Sequence, residues 1–131
     1  MRLLLDTHAL LWALRDPAQL SAEATALIRD PSNELIVSAA TAWEIATKHR
    51  IGKLPDASPI LIAYAEYLQR LGAVELAITS RHALAAGQLD WHHRDPFDRI
   101  LAAQSMLESL TLVTADATFQ SLSGVHTFAA N

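Results

Sequence analysis

The 131-residue chain contains no cysteine, which excludes disulfide bonds, a thiolate nucleophile and any cysteine-type zinc site. Glycine and proline are scarce, at four and five residues, too few for collagen-like or linker sequence. No apolar stretch approaches the roughly 20 residues of a membrane span. The opening Met1–Leu5 run has the start of a leader peptide, but Asp6 and His8 interrupt it at once. With no leader and no cysteine, a cytoplasmic location is expected. An excess of positive charge is also missing. Ten Lys and Arg stand against 14 Asp and Glu, a net charge of −4, so the chain lacks the overall basic field of a typical nucleic-acid binder. Any polyanion must be met locally or through a cation. Apolar residues are plentiful at 51%, too many for a disordered chain. The length suits one core, and a single domain over 1–131 is expected.

Helix and strand signals alternate along the chain. Arg2–Leu5, Glu34–Ser38, Ala73–Ile78, Leu110–Thr114 and Val125–Phe128 read as short strands. Helical patterns follow the first strand to Leu14, then cover Ser21–Arg29, Ala39–Ile51, Ser58–Leu71, Ser80–Gln88, the stretch from Asp95-Pro96 to about Glu108, and Ala115–Leu122. Gly52 and Gly72 are placed to end two of them. Strands separated by helices imply a parallel sheet covered on both faces, a three-layer α/β/α domain.

In such a sheet, ligands gather beyond the carboxyl ends of the strands. Asp6 follows the first strand, Glu44 lies in the helix after the second, and Asp116 follows the fourth. Asp98 lies in the first turn of the helix that leads into the fourth strand. Each acid also has an ordinary explanation. Asp6 and Asp116 suit N-caps, Glu44 pairs with Lys48 at i,i+4, and Asp98 complements a helix dipole. Asp95 reads as the N-cap of that last helix and Asp98 as the functional acid, an assignment that stays a choice between neighbours. Taken together, four acids at one rim without matching basic residues would repel each other unless a cation intervened. Oxygen-only ligation is hard-metal chemistry, pointing to Mg²⁺ or Mn²⁺ and, through activated water, to phosphodiester hydrolysis.

The histidines offer competing chemistry. His92 and His93 suit a metal-free acid–base ribonuclease, and His8 suits metal ligation; beside Trp91 and Arg94, however, a loop His-His pair is more often a solvated or substrate-contacting surface. Arg50, Lys53, Arg94 and Arg99 are candidates for local contact with backbone phosphates.

Four segments carry a family resemblance. They are Leu3–His8; Ser38–Ala46 with Lys48 and Gly52–Leu54; Arg94–Arg99 with Leu101–Gln104; and Leu112–Asp116. In this order and spacing they closely resemble the PIN domain, and within it the VapC-type toxins of toxin–antitoxin pairs. The resemblance implies a Rossmann-like fold with parallel sheet order 3-2-1-4-5 and a Mg²⁺- or Mn²⁺-dependent endoribonuclease. It places the family's acidic quartet on Asp6, Glu44, Asp98 and Asp116. Asp6, Asp98 and Asp116 would be metal ligands, and Thr114 a hydroxyl that helps hold metal or water. It also implies a homodimer and a small cognate antitoxin lying in a groove near the site. Which helices would form the dimer is not legible in the sequence, though any exposed apolar residues among Leu10, Leu11, Trp12 and Leu14 are candidates. Two other readings compete: a PIN-like module without catalysis, and a haloacid-dehalogenase-like phosphatase, whose chemistry needs an acid where this chain has His8.

Overall fold

A computed structural model of the chain describes residues 1–131. Five strands, β1 (Arg2–Leu5), β2 (Glu34–Ser38), β3 (Ala73–Leu76), β4 (Thr111–Thr114) and β5 (His126–Ala129), form one sheet in the order β3-β2-β1-β4-β5. All four pairings are parallel. Burial on both faces explains why the central strands are nearly continuous apolar runs. Along β1, Leu3 and Leu5 join one apolar cluster and Leu4 the other. β2 divides in the same way, with Leu35 and Val37 on one side and Ile36 on the other. This period-two alternation into two separate cores is the three-layer arrangement expected from the sequence.

Seven helices flank the sheet: α1 (Thr7–Arg15), α2 (Ala22–Arg29), α3 (Ala39–Arg50), α4 (Ser58–Ile62), α5 (Tyr64–Leu71), α6 (Ser80–Gln88) and α7 (Pro96–Leu107). Their starts follow local chemistry. Ser21 caps α2, Ser38 caps α3, and Thr79 forms a capping box at α6. Gly72 ends α5 in the left-handed region at φ 81°, as a C-terminal glycine should.

The structure departs from the sequence reading in three places. The helix expected over Ser58–Leu71 is interrupted at Ala63, whose φ of −123° and ψ of 36° leave the helical region; no proline or glycine there announces the break. The helix expected over Ala115–Leu122 is a 3₁₀ segment, Ala117–Ser121, begun by Asp116. Leu10 and Leu11, candidates for a dimer surface, are in the core at 0% and 7% exposure. Trp12 and Leu14 are partly buried against the same core, because the apolar face of α1 is turned toward the sheet.

One buried polar residue ties the start of α6 to the end of α7. His82 is 2% exposed. Its Nδ1 accepts the Thr79 N–H at 3.1 Å, and its Nε2 lies 2.8 Å from Glu108 Oε1. Acceptance at Nδ1 places the ring proton of the neutral form on Nε2, where it donates to the carboxylate. His82→Ala is expected to destabilise the fold by about 2–4 kcal/mol through the cavity and the lost bonds. Urea unfolding measures this, and a cost below about 0.5 kcal/mol would contradict a structural role.

Candidate active site

The strand order runs outward in opposite directions from the β1–β4 boundary, the switch point at which open parallel sheets place their ligands. Asp6 follows β1 there and Asp116 follows β4. α3 brings Glu44 and α7 brings Asp98 to the same place. The result is a pocket of about 220 Å³ lined by Asp6, Thr7, His8, Glu44, Lys48, His93, Asp95, Asp98 and Asp116, with no apolar residue in its wall. All four acids singled out in the sequence meet in it.

Each carboxylate has a distinct setting. Asp6 is 6% exposed and caps α1, accepting the Ala9 N–H at 2.8 Å. Glu44 is equally buried. One of its oxygens accepts the Thr7 hydroxyl and the other lies 2.5 Å from Lys48 Nζ. Asp98 Oδ2 is 2.7 Å from His93 Nε2. Asp116 is exposed and accepts the Thr118 N–H at 2.9 Å, while Thr114 Oγ1 accepts the Asp116 N–H at 3.0 Å. Asp95 Oδ1 accepts the N–H groups of Phe97 and Asp98 at 2.9 and 3.1 Å, the N-cap geometry its sequence position implies.

These settings separate the acids electrostatically. Burial pushes Asp6 above the usual carboxylate range, against the opposing pull of the Thr114 hydroxyl and the Ala9 N–H. Burial likewise raises Asp98 to about 6; the His93 hydrogen bond lowers it, and the charges of Asp95 and Glu44 add to the rise. Asp116 moves the other way, held below its ordinary value first by the Thr118 N–H. Two of the acids are therefore costly to ionise unless positive charge enters the pocket. Lys48 is the one lysine or arginine in its wall, and Glu44 already engages it. No three His, Asp or Glu side chains converge closely enough to ligate one ion by themselves.

Among the basic candidates, Arg50, Lys53 and Arg94 are exposed. Arg99 is different. Its guanidinium donates to the main-chain carbonyls of Ala86, Gly87, Leu89, Trp91 and His93. All five N–H groups have internal acceptors, so the expected phosphate contact of Arg99 is replaced by a loop-holding role. Sequence reasoning also left Thr7 and Lys48 out of the site, and gave His93 only as part of a competing histidine mechanism. The adjacency Asp6-Thr7 and the i,i+4 spacing of Glu44 and Lys48 were visible signals for the first two. The placement of His93 depends on a loop path that local pattern does not encode.

Fold and pocket together define an α/β/α domain that gathers acidic side chains at its switch point. The PIN domain family model matches residues 3–125, and the chain belongs to the PIN domain family. It is 37% identical over 60 residues to Ribonuclease VapC16 of Mycobacterium tuberculosis, a match covering 46% of this chain and 43% of that relative's length. Two solved structures share the fold across nearly the whole chain. VapBC2 from Rickettsia felis, bound to a DNA fragment from its promoter, has a TM-score of 0.74 at 16% identity and covers 100% of both chains. FitAcB from Neisseria gonorrhoeae has a TM-score of 0.65 at 20% identity and covers 96% of both. The sheet order expected from the resemblance is the observed one.

Proposed function

We propose that this chain is a metal-dependent endoribonuclease and the toxin of a toxin–antitoxin pair, its site formed by Asp6, Glu44, Asp98 and Asp116. The observation that carries this reading is a wholly polar pocket in which burial disfavours ionisation of Asp6 and Asp98. Such a pocket is incomplete without a cation. The donor set is all oxygen apart from histidine, which suits Mg²⁺ or Mn²⁺.

Asp6 and Asp98 would hold the ion, with Asp116 as a further ligand and Thr114 orienting Asp6 through its hydroxyl. When bound, the ion lowers the pKa of water and offsets the charge that develops on a phosphodiester. Glu44, held by Thr7 and Lys48, would orient water. Arg50, Lys53 and Arg94, all exposed, would contact RNA phosphates and supply the local positive charge that the whole chain lacks. Membership of the PIN family displaces the phosphatase alternative.

The toxin assignment is supported by the name of the VapC16 relative and by the VapBC complexes that share the fold. A groove of about 370 Å³, lined by His8, Leu11, Trp12, Arg15, Asp16 and Leu54, meets the acid pocket at His8 and is proposed for the antitoxin segment. A homodimer would use the face around Trp43, which is 57% exposed and packs edge-on against Phe97. The catalytic reading is tested on partner-free protein with a labelled RNA pool. Cleavage is expected with Mg²⁺ or Mn²⁺ and none in EDTA. Full activity in EDTA would favour the histidine mechanism, with His93 already in the pocket.

A further inference from the structure

We propose that Arg99 is a positioning residue of the acid pocket, fixing the 86–93 segment so that His93 is seated against Asp98; this rests on the metal-nuclease reading above. The guanidinium reaches Ala86 O at 2.9 Å through Nε, and Trp91 O at 3.0 Å and His93 O at 2.9 Å through Nη1. Nη2 reaches Leu89 O at 2.8 Å and, at the limit of a hydrogen bond, Gly87 O at 3.5 Å. Ala86 and Gly87 belong to the last turn of α6, whose carbonyls lack helical partners and attract positive charge. Leu89, Trp91 and His93 lie outside regular structure; the Leu89 carbonyl also accepts the Trp91 N–H at 2.9 Å, while the Trp91 and His93 carbonyls find their partner in Arg99. One planar fork answers both needs, and a lysine, with three donors at one point, does not.

The consequence reaches the site because of what the loop carries. Trp91 is anchored a second time, its indole N–H on Ser121 Oγ at 2.9 Å and its ring against Phe119. With Trp91 and the His93 carbonyl both held, the His93 ring packs on Trp91 and places Nε2 2.7 Å from Asp98 Oδ2. That contact fixes one carboxylate oxygen of Asp98 and leaves the other for a ligand. Partners of this kind behind a ligating group are commonly worth about 10–100-fold in metal affinity or activity. Asp98 and Arg99 are consecutive in the first turn of α7, so the residue that would ligate and the one that holds its partner share one rigid backbone.

The test uses EDTA-stripped wild type, Arg99→Lys, His93→Ala and the double variant. Mn²⁺ affinity is read by paramagnetic resonance of the free ion, foldedness by circular dichroism, and kcat and KM with RNA. His93→Ala keeps the main-chain carbonyl and therefore the Arg99 clamp. It is expected to stay folded and to bind Mn²⁺ about tenfold or more weakly. Arg99→Lys should lose a similar factor, and the double variant no more than either. The loss should appear in kcat with KM unchanged, whereas a phosphate contact would raise KM and alter its salt dependence. Wild-type Mn²⁺ affinity in folded Arg99→Lys or in His93→Ala, or losses that add in the double variant, would overturn the proposal. If Arg99→Lys does not fold, His93→Ala decides alone. A wild type that takes up no Mn²⁺ overturns the underlying nuclease reading instead.

Discussion

Asp98→Asn is expected to reduce RNA cleavage by at least about 100-fold, more than the loss of a supporting partner would, while stabilising the metal-free protein at neutral pH. The two effects have one cause. Burial holds the Asp98 carboxyl at about 6 against an ordinary 3.8, so ionising it in the fold costs up to about 3 kcal/mol relative to the unfolded chain. Its side chain is 19% exposed, and water screening reduces this to about 1–2 kcal/mol. Between pH 4 and about 6 the folded chain keeps a proton that the unfolded chain has lost. Stability therefore falls as pH rises through that window and is flat above it. Asparagine keeps the shape and a hydrogen bond for His93 without the charge. Melting in EDTA at pH 4.5 and pH 7 should show the wild type losing stability across the interval and Asp98→Asn losing less. An asparagine variant that is less stable than wild type at pH 7 would mean that Asp98 is stabilised by its neighbours, not strained.

The second large effect concerns Lys48. An exposed i,i+4 ion pair contributes about 0.3–0.5 kcal/mol. Here the Glu44 side chain is 6% exposed and that of Lys48 29%, so removing Lys48 leaves a desolvated carboxylate with only Thr7 as partner. Lys48→Met is expected to destabilise by about 2–4 kcal/mol, near the range for breaking a buried pair. Adding Glu44→Gln should recover most of the loss, because the stranded charge is then gone. Urea unfolding of the two single variants and the double closes the cycle. A Lys48→Met variant within about 0.5 kcal/mol of wild type would reduce the pair to the ordinary surface bridge that its spacing alone suggests.

The residues that could be read from sequence are those whose positions follow from the period of an element. Asp6 directly follows an apolar run and Asp116 comes two residues after another strand, and Asp98 is three residues past a capping Asp95 in front of a proline. Once the strands are parallel, they must share a rim. Glu44 was harder, because pairing with Lys48 and facing the pocket looked like alternatives; the structure has both, one oxygen for each neighbour. Arg99 misled because a basic side chain beside an acid of the pocket resembles a phosphate contact. Its fate depends on five carbonyls of a loop whose path no periodicity specifies. The same loop sets the contact of His93 with Asp98. On α1, Leu10 and Leu11 form an apolar face that alone cannot distinguish a core from an interface, and packing onto β1 settled it.

The central claim is that the four acids form a cation site that prepares water for attack on RNA. It is tested most directly by titrating EDTA-stripped protein with Mn²⁺ while following bound ion and RNA cleavage in the same samples. Cleavage should rise in proportion to bound Mn²⁺, and both should disappear in Asp6→Asn and Asp98→Asn proteins that remain folded. Cleavage that proceeds without bound ion, or Mn²⁺ uptake unchanged by either substitution, would contradict it.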